Sequence, residues 1–330
     1  MGDEMTKELP IGISGGAVIH TDANVPDVDT VFRMVSESGA FDYIERTPPT
    51  GLLDAFQRAS AKYNIPLRSG GFFYTLGRDE PLLEWHLRIG RELGMRVQNV
   101  QITARDATGA RVTDAQVADA YLTASELGEK FGVLPCFEVH INMWSEQFSR
   151  VARVAELVEK RGAEYRMTLD HSHVIFKIGN EAELDIENLR EDLAAGLVLD
   201  PAKPNNICAQ WIDANWVAHA HARPAVPNNP PNIWAAHPDG RLGRGVQYPF
   251  FQPRPGDYHA TWDESRLEPW KQVLRHLFAH HVRNPASPLG QVTLEMIPGI
   301  DYGAGHRYSI FDHNVACAKW LRGEWNNVSR

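Results

Sequence analysis

Short runs of apolar residues alternate along the chain with longer runs in which apolar residues recur every three or four positions. The short runs predict buried β-strands, and the longer ones predict amphipathic helices. Eight strands are predicted in this way, at residues 11–16, 41–47, 65–73, 96–103, 133–142, 165–171, 215–222 and 291–297. Glycine or asparagine follows most of the helical runs, where a left-handed cap is expected, at Gly39, Asn64, Gly94, Gly132, Gly162 and Gly196. Eight strand–helix units predict an α/β fold, a single (β/α)8 TIM barrel over residues 1–330, rather than a doubly wound open sheet.

One connection is much longer than the others. Residues 223–262, between the seventh strand and its helix, are rich in proline, asparagine, glycine and aromatic residues. A loop of this length in a compact domain is usually a lid or is disordered. Its aromatic residues argue against disorder, since disordered segments are poor in them. They are Trp234, Tyr248, Phe250, Phe251, Tyr258 and Trp262. We expect an ordered lid or a surface for a partner.

The composition excludes several classes of protein. The formal net charge of -9 disfavours binding to nucleic acid or to an anionic membrane, both of which require a basic face. No run approaches the ~18 apolar residues that span a bilayer, and the first residues contain no apolar signal core, so we expect a cytoplasmic protein. Three cysteines in apolar surroundings, Cys136, Cys208 and Cys317, favour core packing over disulfides or a zinc site.

Carboxylates and imidazoles stand near the carboxyl ends of the last four predicted strands. They are Glu138 and His140 on the fifth, Asp170 and His173 at the sixth, His219 and His221 on the seventh, and Glu295 on the eighth. Such side chains converge on one mouth of a barrel. Burying unpaired carboxylates close together would cost several kcal/mol of folding free energy each, and a bound divalent cation removes that cost. Mostly oxygen ligands with one imidazole favour Mn²⁺ or Mg²⁺, with Mn²⁺ preferred and Co²⁺ or Zn²⁺ also able to bind.

The order of these motifs resembles the xylose isomerase-like (sugar isomerase/epimerase) barrel superfamily. The motifs are E-V-x-x-N from Glu138 to Asn142, D-x-x-H from Asp170 to His173, H-x-H from His219 to His221, and the glutamate of the eighth strand. The resemblance implies that Glu138, Asp170, His221 and Glu295 hold one divalent ion, and that His173 contacts oxygens of the substrate. His219 is the alternative to His221 as the ligand. We also expect substrate contacts from Asn142, Arg223 and Glu45, although Glu45 could equally pair with Arg46 or another base.

Two features differ from the usual keto-sugar epimerase pattern. His140 lies on the same strand face as Glu138, where those enzymes have an apolar residue, and Pro227 stands where they carry an arginine. The chain carries E-x-H on the fifth strand and a long aromatic loop after the seventh. In these two features it is more similar to the large subunit of bacterial C-glycoside deglycosidases than to keto-sugar epimerases. That resemblance implies a lyase that eliminates the aglycone from a 3-oxo-glucoside and works with a small β-rich second subunit.

The residues fit such chemistry. A metal ion would polarise the sugar oxygens, and His140 would act as general base or acid, with Glu138 and Glu295 as further catalytic carboxylates. Two other functions remain open. One is epimerisation or aldose–ketose isomerisation of a free sugar, by a homo-oligomer. The other is a metal-dependent repair nuclease of the same fold, which the negative charge disfavours.

Overall fold

The computed structural model describes residues 8–21 and 24–329 and contains a closed barrel of eight parallel strands. The barrel strands are β1 (Ile11–Ser14), β2 (Tyr43–Glu45), β3 (Leu67–Tyr74), β4 (Val97–Ile102), β5 (Leu134–Glu138), β6 (Met167–Asp170), β7 (Val217–Ala222) and β10 (Gln291–Leu294). Each pairs with its neighbour in chain order, and β10 closes the barrel between β7 and β1. The predicted (β/α)8 barrel is therefore confirmed, with each strand lying within or close to its predicted range.

Helices surround this barrel. They are α1 (Val28–Ser38), α2 (Leu53–Tyr63), α3 (Glu80–Glu92), α4 (Asp114–Phe131), α5 (Ser149–Glu159), α6 (Ser172–Ile175), α7 (Leu189–Ala194), α8 (Ile207–Asp213), α9 (Glu268–Arg283) and α10 (Ile310–Val328). All six residues expected as left-handed caps have positive φ, from 53° at Asn64 to 101° at Gly196. Two short helices, α6 and α8, were not predicted from the sequence. Helix α6 is buried on all sides and therefore lacks an amphipathic pattern.

Strand β5 ends four residues before its predicted end because the chain turns at the barrel mouth. The hydroxyl of Ser145 accepts a hydrogen bond from the His140 N–H at 3.2 Å and donates one to the Glu138 carbonyl at 2.6 Å. Asn142 then adopts the left-handed conformation, with φ of 64°. These bonds replace the strand ladder and direct the residues after Glu138 around the mouth.

A buried polar layer crosses the barrel below its mouth. It includes Tyr43, Asn99, Thr168 and Thr293, one from every second barrel strand, together with His219. The Thr293 hydroxyl lies 2.7 Å from the Tyr43 hydroxyl and 2.8 Å from Nε2 of His219. Nδ1 of His219 lies 3.1 Å from Oδ1 of Asn99. Because these polar groups satisfy one another, they form a fixed floor for the site above.

The long insertion is ordered. It contains a two-stranded antiparallel sheet, β8 (Asn232–Ala236) and β9 (Leu242–Gly243). Tyr248 and Tyr258 are buried in an apolar cluster with Met296, which follows β10. The insertion thus packs against the loop after the last barrel strand.

Two further sequence expectations can be compared with the structure. All three cysteines are buried and free, as expected for core packing. Within the described part of the chain, no helix combines the length and the apolar character needed to span a bilayer.

Candidate metal centre

Four side chains from different strands meet at the carboxyl end of the barrel. Glu138 ends β5, Asp170 ends β6, His221 lies near the end of β7, and Glu295 directly follows β10. Each offers one ligand atom, and these atoms all lie within 4.8 Å of one another. They are the four residues that the resemblance implied as a ligand set.

His221 is surrounded by carboxylates. Its Nδ1 atom lies 2.9 Å from Oε1 of Glu138 and 2.9 Å from Oε2 of Glu295. Its Nε2 atom lies 2.8 Å from Oε1 of Glu45 on the other side. Burial opposes the charged imidazole, but the carboxylates of Glu295, Glu45 and Glu138 outweigh burial and raise the pKa of His221 well above its ordinary value. Without an ion, therefore, a proton on His221 balances part of the negative charge.

Arg223 supplies a second positive charge. Its guanidinium is fully buried and donates to Oδ2 of Asp170 at 2.7 Å and to Oε2 of Glu295 at 2.6 Å. Burial alone would raise the pKa of Asp170, but Arg223 and His173 outweigh it and hold that pKa well below the ordinary value. The guanidinium neutralises one of the three carboxylates in the group of four and leaves two negative charges, which one divalent cation would balance.

The surroundings of one oxygen atom of Glu138 indicate whether these residues fit a metal ion. Oε2 of Glu138 is buried and has no hydrogen-bond partner among residues 8–21 and 24–329. Burial raises the pKa of Glu138 to about 7, the charges of Glu295 and Asp170 add to the rise, and His221 reduces it. A buried carboxylate oxygen without a partner is costly, and a bound cation removes the cost. The buried group therefore fits a divalent metal ion.

Glu45 ends β2, is buried, and contacts His221 on the side opposite to Glu138 and Glu295. Its carboxylate accepts hydrogen bonds from Ser69 at 2.6 Å, Asn99 at 3.2 Å and Thr293 at 3.1 Å, and it faces Nε2 of His221. Burial opposes its charge, but His221 and His219 lower the pKa of Glu45 to about 2. A carboxylate on the far nitrogen of a ligating histidine fixes the orientation of the ring.

The structure separates the two histidines of β7. Both ring nitrogens of His219 contact the polar floor, at Asn99 and Thr293. Burial lowers the pKa of His219 to about 3, so its imidazole is neutral. His221, one step nearer the mouth, is the histidine that lies among Glu138, Asp170 and Glu295.

His140 lies beside the group of four and contacts a tyrosine that the sequence did not indicate. Its Nδ1 atom lies 2.5 Å from the carbonyl oxygen of Ile141, and its Nε2 atom lies 3.1 Å from the hydroxyl of Tyr302. A carbonyl can only accept, so Nδ1 carries the hydrogen and Nε2 accepts from Tyr302. Burial, with the charges of His173 and Arg223, lowers the pKa of His140 to about 3, so its imidazole is neutral.

Three more residues are expected to contact substrate, and all three lie outside the group of four: His173, Arg223 and Asn142. His173 is fully buried, with Nε2 3.2 Å from Oδ2 of Asp170. The side chain of Arg223 contacts Asp170 and Glu295, as described above. Asn142 is exposed, and its backbone N–H donates to Glu146. The structure thus places His173 and Arg223 behind the ligand group, where they support Asp170.

A cavity of about 980 Å³ opens in front of the candidate ligands. Glu138, His140, His221, Glu295 and Tyr302 are among the residues that line it. Its lining also includes an apolar wall, which consists of Phe72, Phe73, Leu82 and Trp85. Phe73 is 52% exposed, and its ring centroid lies 5.8 Å from that of His140. A cavity with polar groups at one end and apolar walls suits a small organic ligand.

Comparisons with known proteins identify the fold. No protein-family profile matches the chain, and no curated protein matches its sequence. Among solved structures, 3-keto-D-glucoside 4-epimerase (YcjR) from E. coli has a TM-score of 0.53 at 14% identity, covering 96% of this chain and 100% of that one. D-allulose 3-epimerase from Methylomonas sp. has a TM-score of 0.56 at 14% identity, covering 96% and 98%. The probable 3-DHS dehydratase AsbF from Bacillus anthracis has a TM-score of 0.54 at 10% identity, covering 95% and 99%. At this level of identity, the likeness shows a shared barrel fold.

Proposed function

We propose that this protein is a divalent-metal-dependent enzyme that removes a proton from the carbon next to a carbonyl group of a sugar. The observation that carries the proposal is the group Glu138, Asp170, His221 and Glu295, whose ligand atoms lie within 4.8 Å of one another. Three of the four, Glu138, His221 and Glu295, line a cavity. Support also comes from the fold, which is shared with enzymes named as sugar epimerases.

The same four residues would hold the ion, with Mn²⁺ preferred because three of the four ligands are carboxylates. The ion's contribution would be to polarise the oxygens of a bound sugar and so acidify the neighbouring C–H. His221 would coordinate through Nδ1, since Nε2 faces Glu45. Arg223 would keep Asp170 ionised and ready to bind.

Epimerisation or isomerisation is the reaction class that we favour. Isomerisation can use one group that removes a proton and returns it to the neighbouring carbon, and epimerisation can use a second group that returns the proton to the opposite face. Glu138 and Glu295 come from different strands, and both line the cavity. His140 is a weak base in this structure, because its pKa is held low and its Nε2 atom accepts from Tyr302. We therefore assign proton transfer to the two glutamates, and to His140 and Tyr302 the binding of substrate oxygens.

Elimination of an aglycone from a 3-oxo-glucoside is the second candidate. It is favoured by the apolar wall, because an apolar aglycone would cover more of the exposed ring of Phe73 than a sugar alone. In that reaction His140, beside Phe73, would accept or donate the proton. A small β-rich second subunit would accompany this activity, whereas a homo-oligomer would accompany epimerisation.

Proton exchange in D₂O tests the step that both reactions share. The protein is stripped of metal with a chelator, reloaded with Mn²⁺ and incubated with D-allulose or with a 3-oxo-glucoside carrying a phenyl aglycone. NMR should show deuterium entering next to the carbonyl only with metal present. A new sugar epimer supports epimerisation, and released aglycone supports elimination. If neither compound gains deuterium and no aglycone is released, the proposed chemistry is contradicted.

A further inference from the structure

Arg244, in the insertion, is part of a buried cluster of four charges. Its guanidinium forms ion pairs with Glu146 and Glu183. Lys177 completes the cluster, with Nζ 2.8 Å from Oε1 of Glu146 and 3.4 Å from Oε2 of Glu183. The two carboxylates and two cations balance, and such a cluster is stable only while every member keeps its partners. One arginine side chain of the insertion thereby pairs with a carboxylate of the loop after β5 and with one of the loop after β6.

Glu146 connects this cluster to the loop that carries His140. Its Oε2 atom accepts a hydrogen bond from the backbone N–H of Asn142 at 2.5 Å. Asn142 has a φ of 64°, a left-handed conformation that costs energy for a residue with a side chain. The bond to Glu146 helps to offset that cost and directs the chain two residues after His140.

The backbone next to Arg244 holds the opposite loop. The N–H of Arg244 donates to Oδ1 of Asp301 at 3.0 Å, and the N–H of Val246 donates to the backbone carbonyl of Asp301 at 2.9 Å. The next residue along the chain is Tyr302. The side chain of Val246 is buried in one apolar cluster with Tyr302 and with Ile141, the neighbour of His140.

We propose that Arg244 is a positioning residue that holds the hydroxyl of Tyr302 against Nε2 of His140. Its side chain fixes one loop through Glu146, and its backbone fixes the other through Asp301. The guanidinium of Arg244 donates through Nε and Nη2 to Glu183 and through Nη2 to Glu146, and a lysine cannot reproduce this bidentate geometry. The inference rests on the proposed role of His140 and Tyr302 in binding substrate. It also makes residues 244–246 a support for the loops that carry His140 and Tyr302.

Variants of Arg244 test the inference without turnover. Arg244→Met removes both ion pairs, and Arg244→Lys keeps the charge. Arg241→Met is the matched control, because Arg241 lies in the same insertion and pairs with Asp239 at the exposed surface. Ring-nitrogen NMR of protein labelled in histidine reports the His140–Tyr302 contact, and the His140 signals are those lost in His140→Gln. We expect Arg244→Met to displace these signals, Arg244→Lys to displace them less, and Arg241→Met to leave them unchanged.

Two further readouts separate positioning from general damage. Mn²⁺ affinity should stay within about twofold in Arg244→Met, because the candidate ligands lie outside the charge cluster. On a substrate found as described above, kcat should fall about 10- to 100-fold with a smaller change in KM, the usual effect of a small misplacement. His140 signals that stay unchanged in Arg244→Met would overturn the inference. Displaced signals accompanied by a loss of metal binding would overturn it as well, because they would indicate general damage to the site. If Arg244→Met does not fold, Arg244→Lys decides by the same signals. If no sugar reacts but the signals move, the proposed function fails and the positioning role stands.

Discussion

Nδ1 of His221 lies 2.9 Å from Oε1 of Glu138, and both side chains are buried at the mouth of the barrel. In the absence of an ion, the pKa of His221 is raised well above its ordinary value, and that of Glu138 is raised to about 7. A metal ion needs both groups without their protons. Proton and metal therefore compete for the same atoms.

This competition predicts how metal binding depends on pH. At a pH below about 7, a cation must displace protons from both residues, so the apparent affinity for Mn²⁺ should rise from about pH 6 to about pH 8. Calorimetric titration in two buffers of different ionisation enthalpy should detect released protons. Affinity that is constant over this range, with no proton release, would contradict the assignment of His221 as a ligand.

Removing the buried guanidinium should destabilise the metal-free protein. Arg223→Met leaves Asp170 and Glu295 without their counter-ion, and breaking a buried pair in this way costs about 3 to 5 kcal/mol. Added Mn²⁺ should recover part of the loss, because the ion supplies positive charge to the same two carboxylates. Urea denaturation with and without Mn²⁺ measures both effects. Arg58→Met, at an exposed position of α2, is the control, and an equally small effect of both substitutions would refute the buried ion pair.

Substituting Glu45 should weaken metal binding although Glu45 is outside the group of four. Glu45→Gln keeps the shape of the side chain but removes the charge that orients His221, and such supporting changes typically cost about 10- to 100-fold in metal affinity. Titration with Mn²⁺ measures the change. Glu129→Gln, on the exposed face of α4, should bind as the unaltered protein does. A direct contact of Glu45 with substrate would instead change KM and leave metal affinity alone.

Two glycines in the insertion provide a matched pair. Gly240 and Gly245 both have positive φ, 86° and 73°, but an added Cβ would meet nothing within 4 Å at Gly240 and would lie 2.1 Å from the Pro230 carbonyl oxygen at Gly245. Gly240→Ala should cost about 1 to 2 kcal/mol for the conformation alone. Gly245→Ala should cost clearly more, because the backbone must also shift. Thermal unfolding of the two variants compares them, and equal losses would show that the insertion does not pack as described.

The sequence was sufficient for the barrel because hydrophobic periodicity and helix caps are local signals. Because strand ends of a barrel converge whatever their separation in the chain, the sequence also indicated a group of candidate side chains at one mouth. The family resemblance, and not the spacing, implied the four that the structure brings together. The sequence could not locate Tyr302, which lies in an irregular loop without a periodic pattern. Nor could it find the role of Arg244, whose partners Glu146 and Asp301 lie in two different loops. The contact between Glu45 and His221 likewise depends on packing, which no short motif records.

Diffraction from crystals soaked in Mn²⁺, measured at the manganese absorption edge, tests the central claim most directly. We predict one anomalous peak within bonding distance of Glu138, Asp170, His221 and Glu295. The same experiment with Asp170→Asn should give a weaker peak or none. A peak elsewhere, or no peak at saturating Mn²⁺ in the unaltered protein, would contradict a metal centre at this site.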